Sequence, residues 1–253
     1  MNDQMEIMDE ELEIPDRMNV FQRLGNLIFS PRKLFVFLRG KPTMLFPLII
    51  IAIGAALYQL LLFEPNRKLQ MDIMYNTYKN LGMNYTPDQI ELLVNSQMIG
   101  TIIAAPFIII ATWAITTLIL YGIYRLVNCE RGLKKYFSMM AYISIISVIG
   151  MILNALYVNQ IGGSITTQIT GLSSLLDIES VGIFLYSLSA SIDVFNIWSY
   201  ILYAIGFVYV GGVSKKTSYI MAFILFILAA LIGATVASIS NNLFGGLLGS
   251  FMG

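Results

Sequence analysis

The 253-residue chain is 57% hydrophobic and only 12% charged, with a mean hydropathy of +0.74, whereas soluble domains carry about a quarter charged residues; so much apolar side chain is read as integral membrane protein. Fifteen basic and fifteen acidic residues cancel, leaving no global field to draw the chain to nucleic acid. With no histidine and one cysteine, intramolecular disulfides, His/Cys zinc sites, His-ligated haem and Ser-His or Cys-His nucleophile pairs are excluded.

Lipid cannot hydrogen-bond a bare backbone, so only helices or closed barrels cross it, and long unbroken apolar runs select helices over the alternation of barrel strands. The predicted fold class is therefore all-α, a bundle of five transmembrane helices with an amphipathic N-terminal segment and a helical outer loop. In chain order, the first sixteen residues hold Asp3, Glu6, Asp9, Glu10, Glu11, Glu13 and Asp16 and no basic residue. That is the opposite of a secretory n-region, so 1–17 reads as a disordered acidic tail and the first apolar run as an anchor of the mature chain. Residues 18–42 read as two short amphipathic helices, the second with Ser30 as N-cap, Pro31 at its first position and Gly40 at its end. Leu34, Phe35 and Leu38 share one face while Arg32, Lys33 and Arg39 point elsewhere. This predicts a helix lying in the headgroup layer, with Arg32, Lys33, Phe35 and Leu38 as its membrane-surface residues; packing on the protein's own loops is the other reading.

A span needs about 20 mainly apolar residues, and five stretches qualify, at about 43–63, 98–127, 136–158, 194–213 and 219–240; together 43–240 form the membrane domain. Between the first two, Arg67 to Leu81 reads as a helical arm closing at Gly82. Thr86-Pro87-Asp88-Gln89 is a capping box whose helix is expected to run into the second span. Tyr75, Tyr78 and Tyr85 suit either the membrane surface or the core of this outer cap. Pro106 should kink the second span, and Asn154 should bond a neighbouring helix from the third. Residues 159–180 are rich in Gly, Ser and Thr. As one helix, 181–213 would measure about 50 Å against a hydrocarbon core of roughly 30 Å, so a break is predicted near Asp193, with 181–190 as a re-entrant or interfacial segment. Residues 241–253 read as a short tail.

Positive charge is retained on the cytoplasmic side. Twelve of the Lys and Arg residues fall before the first run, between the second and third and between the fourth and fifth; the other side has Arg67, Lys68 and Lys79 alone. The N-terminus is accordingly expected inside and the C-terminus outside. Asp193, Asn196, Tyr200 and Tyr203 recur at i, i+3, i+7 and i+10 as a polar stripe facing into the bundle. This stripe could receive a partner or ligand, line a path for a small solute, or supply plain interhelical hydrogen bonds. Ala229, Gly233 and Ala237, with Gly100 and Ala104 and with Ala52 and Ala56, follow small-xxx-small spacing. Packing within one chain is favoured over dimerisation, and a homo-oligomer stays open. Arg125, Arg131, Lys134 and Lys135 make a basic loop with Cys129, read as topology marking, attraction to anionic lipid, or a lipidated thiol. No Walker loop, HExxH, GxSxG or carboxylate pair occurs in the runs, so ATP hydrolysis and intramembrane proteolysis lack residues to run on. The chain reads as non-enzymatic, without cofactor or metal.

Three stretches carry a family likeness: Ser30-Pro31-Arg32-Lys33 leading through Phe35 and Phe37 to Lys41-Pro42; Asp193-Val194-Phe195-Asn196-Ile197-Trp198 running to Ala204-Ile205-Gly206; and Ser214-Lys215-Lys216. In order and spacing over about 20–240 the chain resembles the Yip1-domain membrane family, in its bacterial branch. The resemblance implies five spans, a bacterial plasma membrane location and, for some members, company with ABC-type export systems. Eukaryotic members serve Golgi and endoplasmic reticulum traffic through Rab GTPases and curved membranes. Their Asp-Leu-Tyr-Gly-Pro segment is missing here, since the chain has no Gly-Pro, so Rab binding is not carried over. The expectation is an accessory or scaffold subunit of an ABC-type export or stress-resistance system, with the lipid bilayer and a membrane protein, an ABC exporter by that likeness, as partners. A small transporter or channel component using the Asp193 stripe, and a membrane-shaping or trafficking factor, are the alternatives.

Overall fold

Asn19 opens the first helix, α1 (Val20–Phe29): its side chain accepts from the Gln22 amide at 2.8 Å while the Gln22 side chain accepts from the Asn19 amide at 2.9 Å. The computed structural model describes residues 17–161 and 168–252, so the predicted acidic tail, up to residue 16, and part of the Gly/Ser/Thr-rich stretch lie outside the described residues. α2 (Pro31–Gly40) follows, with proline at its first position and Ser30 at the N-cap position, although the Ser30 hydroxyl makes no capping bond. Leu34, Phe35, Phe37 and Leu38 of α2 are all buried. The expectation that Phe35 and Leu38 meet lipid is therefore corrected: both point into the protein, because α2 is held down by Arg32 over the Tyr209 ring and by Arg39 on Glu130. The exposed apolar side chains belong to α1 instead, with Phe21 at 83% and Phe29 at 84% exposure.

Nine α-helices and one 3-10 turn (Leu172–Leu175) are present among the described residues, so the chain is all-helical as predicted. α3 (Leu45–Leu61) bends by 55° into α4 (Phe63–Asn80). After a turn at Gly82, Thr86 and Gln89 form the predicted capping box, amide to side chain in both directions at 2.9 and 3.4 Å, and α5 (Pro87–Arg125) runs through Pro106 as one 39-residue helix. α6 (Leu133–Ile161), α7 (Ile178–Ala190), α8 (Val194–Tyr209) and α9 (Lys215–Met252) complete the order. The predicted tail after residue 240 continues as part of α9.

Three helices, α5, α6 and α9, are long and apolar enough to cross a membrane singly, and the bent pair α3–α4 raises this to four if it counts as one span. The 16 residues of α8 rise only about 24 Å, short of a roughly 30 Å core. The 181–213 stretch breaks where helix length demanded it, with α7 ending at Ala190 and α8 beginning at Val194; a second break in α7 falls at Gly182 (φ 76°, ψ 160°).

The chain divides into two compact units, and α3, α5, α6, α8 and α9 each contribute to both. Unit 1 comprises residues up to Ala52, Ile108–Val148 and Ile197–Phe226. Its core is aromatic: Phe207 stacks on Tyr124 with ring centroids 3.5 Å apart and lies 5.5 Å from Tyr136. Gly206 lets Met139 approach so closely that an added methyl group would overlap the sulfur. Unit 2 comprises Ile53–Phe107, Ile149–Asn196 and the chain from Ile227. It contains the helical cap between the first two runs, where Ile90, Val94 and Met98 pack with Phe63, Met71, Met74 and Tyr78. Tyr78 is thus cap core, with Tyr85 stacked on it at 4.5 Å and Tyr75 exposed. In α9 the predicted packing stripe is corrected by one residue. Ala229 and Gly233 are exposed and Ala237 half-buried, whereas Ala222, Ala230 and Ala234 are buried.

Candidate functional site

Asp193 occupies the N-cap position of α8. Its Oδ1 accepts from the amides of Phe195 and Asn196 at 2.9 and 3.0 Å, and its Oδ2 accepts from the Thr170 hydroxyl. The residue is 8% exposed. A buried carboxylate is tolerable here because two orphan amides and the positive end of a helix face it. Asn196, the next member of the predicted stripe, donates from Nδ2 to the Ser191 carbonyl at 2.7 Å. The backbone of 170–172 seals the corner, with Leu172 N donating to Ile192 O at 3.0 Å and Val194 N to Thr170 O at 3.4 Å. Asp193 and Asn196 thus share one node in unit 2. Tyr200 and Tyr203 belong to unit 1, where their rings meet edge-on at 5.3 Å and Tyr200 meets Phe226 at 5.3 Å. Asn154, expected to bond a neighbouring helix, instead accepts from the Ile169 amide of the loop at 3.0 Å.

Unit 1 collects most of the charge. Arg23 donates to the Met18 carbonyl and the Thr43 hydroxyl, both at 2.9 Å, and reaches Tyr142 at 3.4 Å. Ser138 clips the entry to α3, accepting from Thr43 N at 3.0 Å and donating to Thr43 O at 2.8 Å. Glu130 is the hub of the basic loop. Arg39 and Lys135 each approach its carboxylate at 2.6 Å, its amide donates to Gly211 O at 2.8 Å, and the Tyr136 hydroxyl donates to its carbonyl at 2.7 Å. Gly212 takes φ +65°, a conformation strained for any L side chain, with the Glu130 side chain close against it. Burial alone would raise the Glu130 pKa, but the hydrogen bonds and charges of Lys135 and Arg39 together outweigh it and hold the carboxyl below the usual range. Cys129 is buried, so the lipidated-thiol reading is corrected: an acyl chain has no access to the sulfur.

Unit 1 also holds a cavity of about 300 Å³. It is lined by Ser30, Arg32 and Lys33 at the start of α2, Ile205 and Tyr209 of α8, and Tyr219 of α9. The Arg32 guanidinium sits 5.3 Å from the Tyr209 ring centroid, an arrangement that pins a cation without removing its charge. Lys33 is exposed. The predicted surface cations are therefore brought together as one wall of a concave site, while their predicted companions Phe35 and Leu38 face the other way. Sequence reasoning singled out Arg32 and Lys33 but passed over Glu130, Tyr209 and Tyr219. A lone acidic residue in the basic loop 125–135 was the available signal for the first of these.

The profile of the family described as the Yip1 domain matches residues 25–237. A membrane protein of Bacillus subtilis (strain 168), YknW, is 27% identical over 234 residues, covering 91% of this chain and 92% of its own. No solved structure matches the chain.

Proposed function

Since the chain belongs to the Yip1-domain family, we propose that it is a non-enzymatic accessory or scaffold protein of the bacterial plasma membrane that binds a membrane partner. The observation that carries this reading is the uneven burial of the long helices. In the most apolar window of α6, 50% of residues are buried within the chain, against 11% for α5 and 17% for α9. Helices that bury so little internally present whole faces sideways, and the face of α9 bearing Ala229 and Gly233 is one on which a second helix backbone can approach closely. In this reading α3 and α8 are short spans that complete five crossings, with the basic end in the cytoplasm and the C-terminus outside. An ABC-type exporter is the partner class that the family suggests.

Purification of the full chain in mild detergent tests it. A stoichiometric membrane partner is expected by mass spectrometry, and leucine at both Ala229 and Gly233 should release that partner while leaving the protein folded. Recovery of the chain alone, together with solute flux in liposomes that Asp193→Asn abolishes, would transfer the assignment to a transporter.

A further inference from the structure

We propose that α1 lies in the plane of the bilayer surface, with Phe21, Ile28 and Phe29 inserted at the boundary between headgroups and acyl chains. At about 100° per residue these three side chains, with Gly25 among them, fall on one face of the helix, and Arg23 and Leu27 fall on the other. Phe21, Ile28 and Phe29 are 83%, 46% and 84% exposed, so nothing among the described residues covers their face, whereas Leu27 is buried. Two phenylalanines and an isoleucine opposite a polar anchor make the face of an interfacial helix, since water is a poor solvent for so much contiguous apolar surface.

The level at which α1 is held identifies lipid as the cover. Arg23 donates to the Thr43 hydroxyl at 2.9 Å, and its guanidinium lies 5.1 Å from the Phe37 ring centroid. Thr43 is itself clipped to Ser138 of α6 through both its backbone groups, so this anchorage is fixed. It stands two residues before Leu45, where α3 begins. Leu45 is 76% exposed and Ile49, one turn on, 48%, the start of the row that α3 turns to acyl chains when it spans. A helix tied to the end of that row has its apolar face at the edge of the hydrocarbon. This seat for α1 needs no protein partner and depends, in the reading above, only on α3 being a span.

Spin labels placed singly at Phe21→Cys, Phe29→Cys, Ile49→Cys and Lys134→Cys of the full chain test it, in vesicles of phosphatidylglycerol and phosphatidylethanolamine. All four positions are exposed, and Cys129 is buried and stays unlabelled. Relaxation by oxygen, which concentrates in lipid, is compared with relaxation by a water-soluble nickel chelate. Oxygen should be favoured about threefold at 21 and 29, as for side chains about 5–10 Å into the boundary, and the chelate should be favoured at 134. Positions 21 and 29 are about 12 Å apart along the helix axis, so equal ratios mark a helix in the plane, and oxygen preference at one of them alone overturns that placement. Chelate preference at both overturns the proposal: if Ile49 still favours oxygen it falls alone, and if Ile49 favours the chelate the span reading of α3 falls with it. Poor access of both reagents at 21 and 29 means that protein covers the face, whether the acidic segment 1–16, a second copy or a partner, and overturns it as well. Ile28→Cys, on the same face, repeats the measurement, with helicity by circular dichroism read for every variant.

Discussion

Asp193 is a residue whose prominence in the sequence has a local explanation in the structure. A carboxylate bordering an apolar run is expensive unless compensated, which is why it stood out in the sequence. The structure compensates it locally, with two backbone amides and a threonine hydroxyl, so its burial requires no ligand. Asp193→Ala should destabilise the protein by about 2 kcal/mol, while Asp193→Asn, whose amide oxygen still accepts from both backbone amides, should cost about half as much. Chemical unfolding in micelles measures both. If Asp193→Ala left stability untouched, capping would not be the task of this residue. The sequence contained half of this answer. The aspartate followed by a helical run was legible as an N-cap pattern, but Thr170 sits 23 positions upstream, and no spacing rule reaches that far.

For elements, local signals served well and the choice of face served poorly. The Thr86–Gln89 capping box, the turn at Gly82 and the break before Val194 all follow from short-range rules, namely reciprocal side-chain bonds, left-handed backbone and helix length, and all are present. Which side of a helix turns inward depends on what is packed against it, and here the rules gave wrong answers twice. In α2, apolar residues at 34, 35, 37 and 38 match a membrane-surface helix and a core helix equally; Glu130 and Tyr209, far along the chain, decide between them. In α9, small residues recur at 229, 233 and 237 and again at 222, 230 and 234, and the second set is the buried one. Ala230→Leu should therefore cost about 1–3 kcal/mol through overpacking, whereas Ala229→Leu should stay within about 0.5 kcal/mol in the absence of a partner. Thermal unfolding of the two variants checks the register directly, and equal losses would contradict it.

Over the whole molecule, composition alone carried the class: an apolar, histidine-free chain with clustered cations leaves an all-helical membrane protein as the outcome. The order of three short motifs was enough to point to the Yip1 family, which the match over 25–237 establishes. The concave site was not legible, because its walls come from residues about 30, 209 and 219, and a cavity is a property of their meeting. Five crossings require α3 and α8 to span despite their 17 and 16 residues. Arg17→Cys and Asn241→Cys, introduced singly, should then react with an impermeant maleimide from opposite faces of sealed vesicles; reaction from the same face would require an even number of crossings.

That labelling needs no cysteine-free background, because the one native thiol, at Cys129, is shielded in the folded chain. The same shielding makes the thiol a clock. Alkylation of Cys129 can proceed only in the moments when the turn around Glu130 lifts away, so its rate in the intact protein counts those excursions without any probe being added.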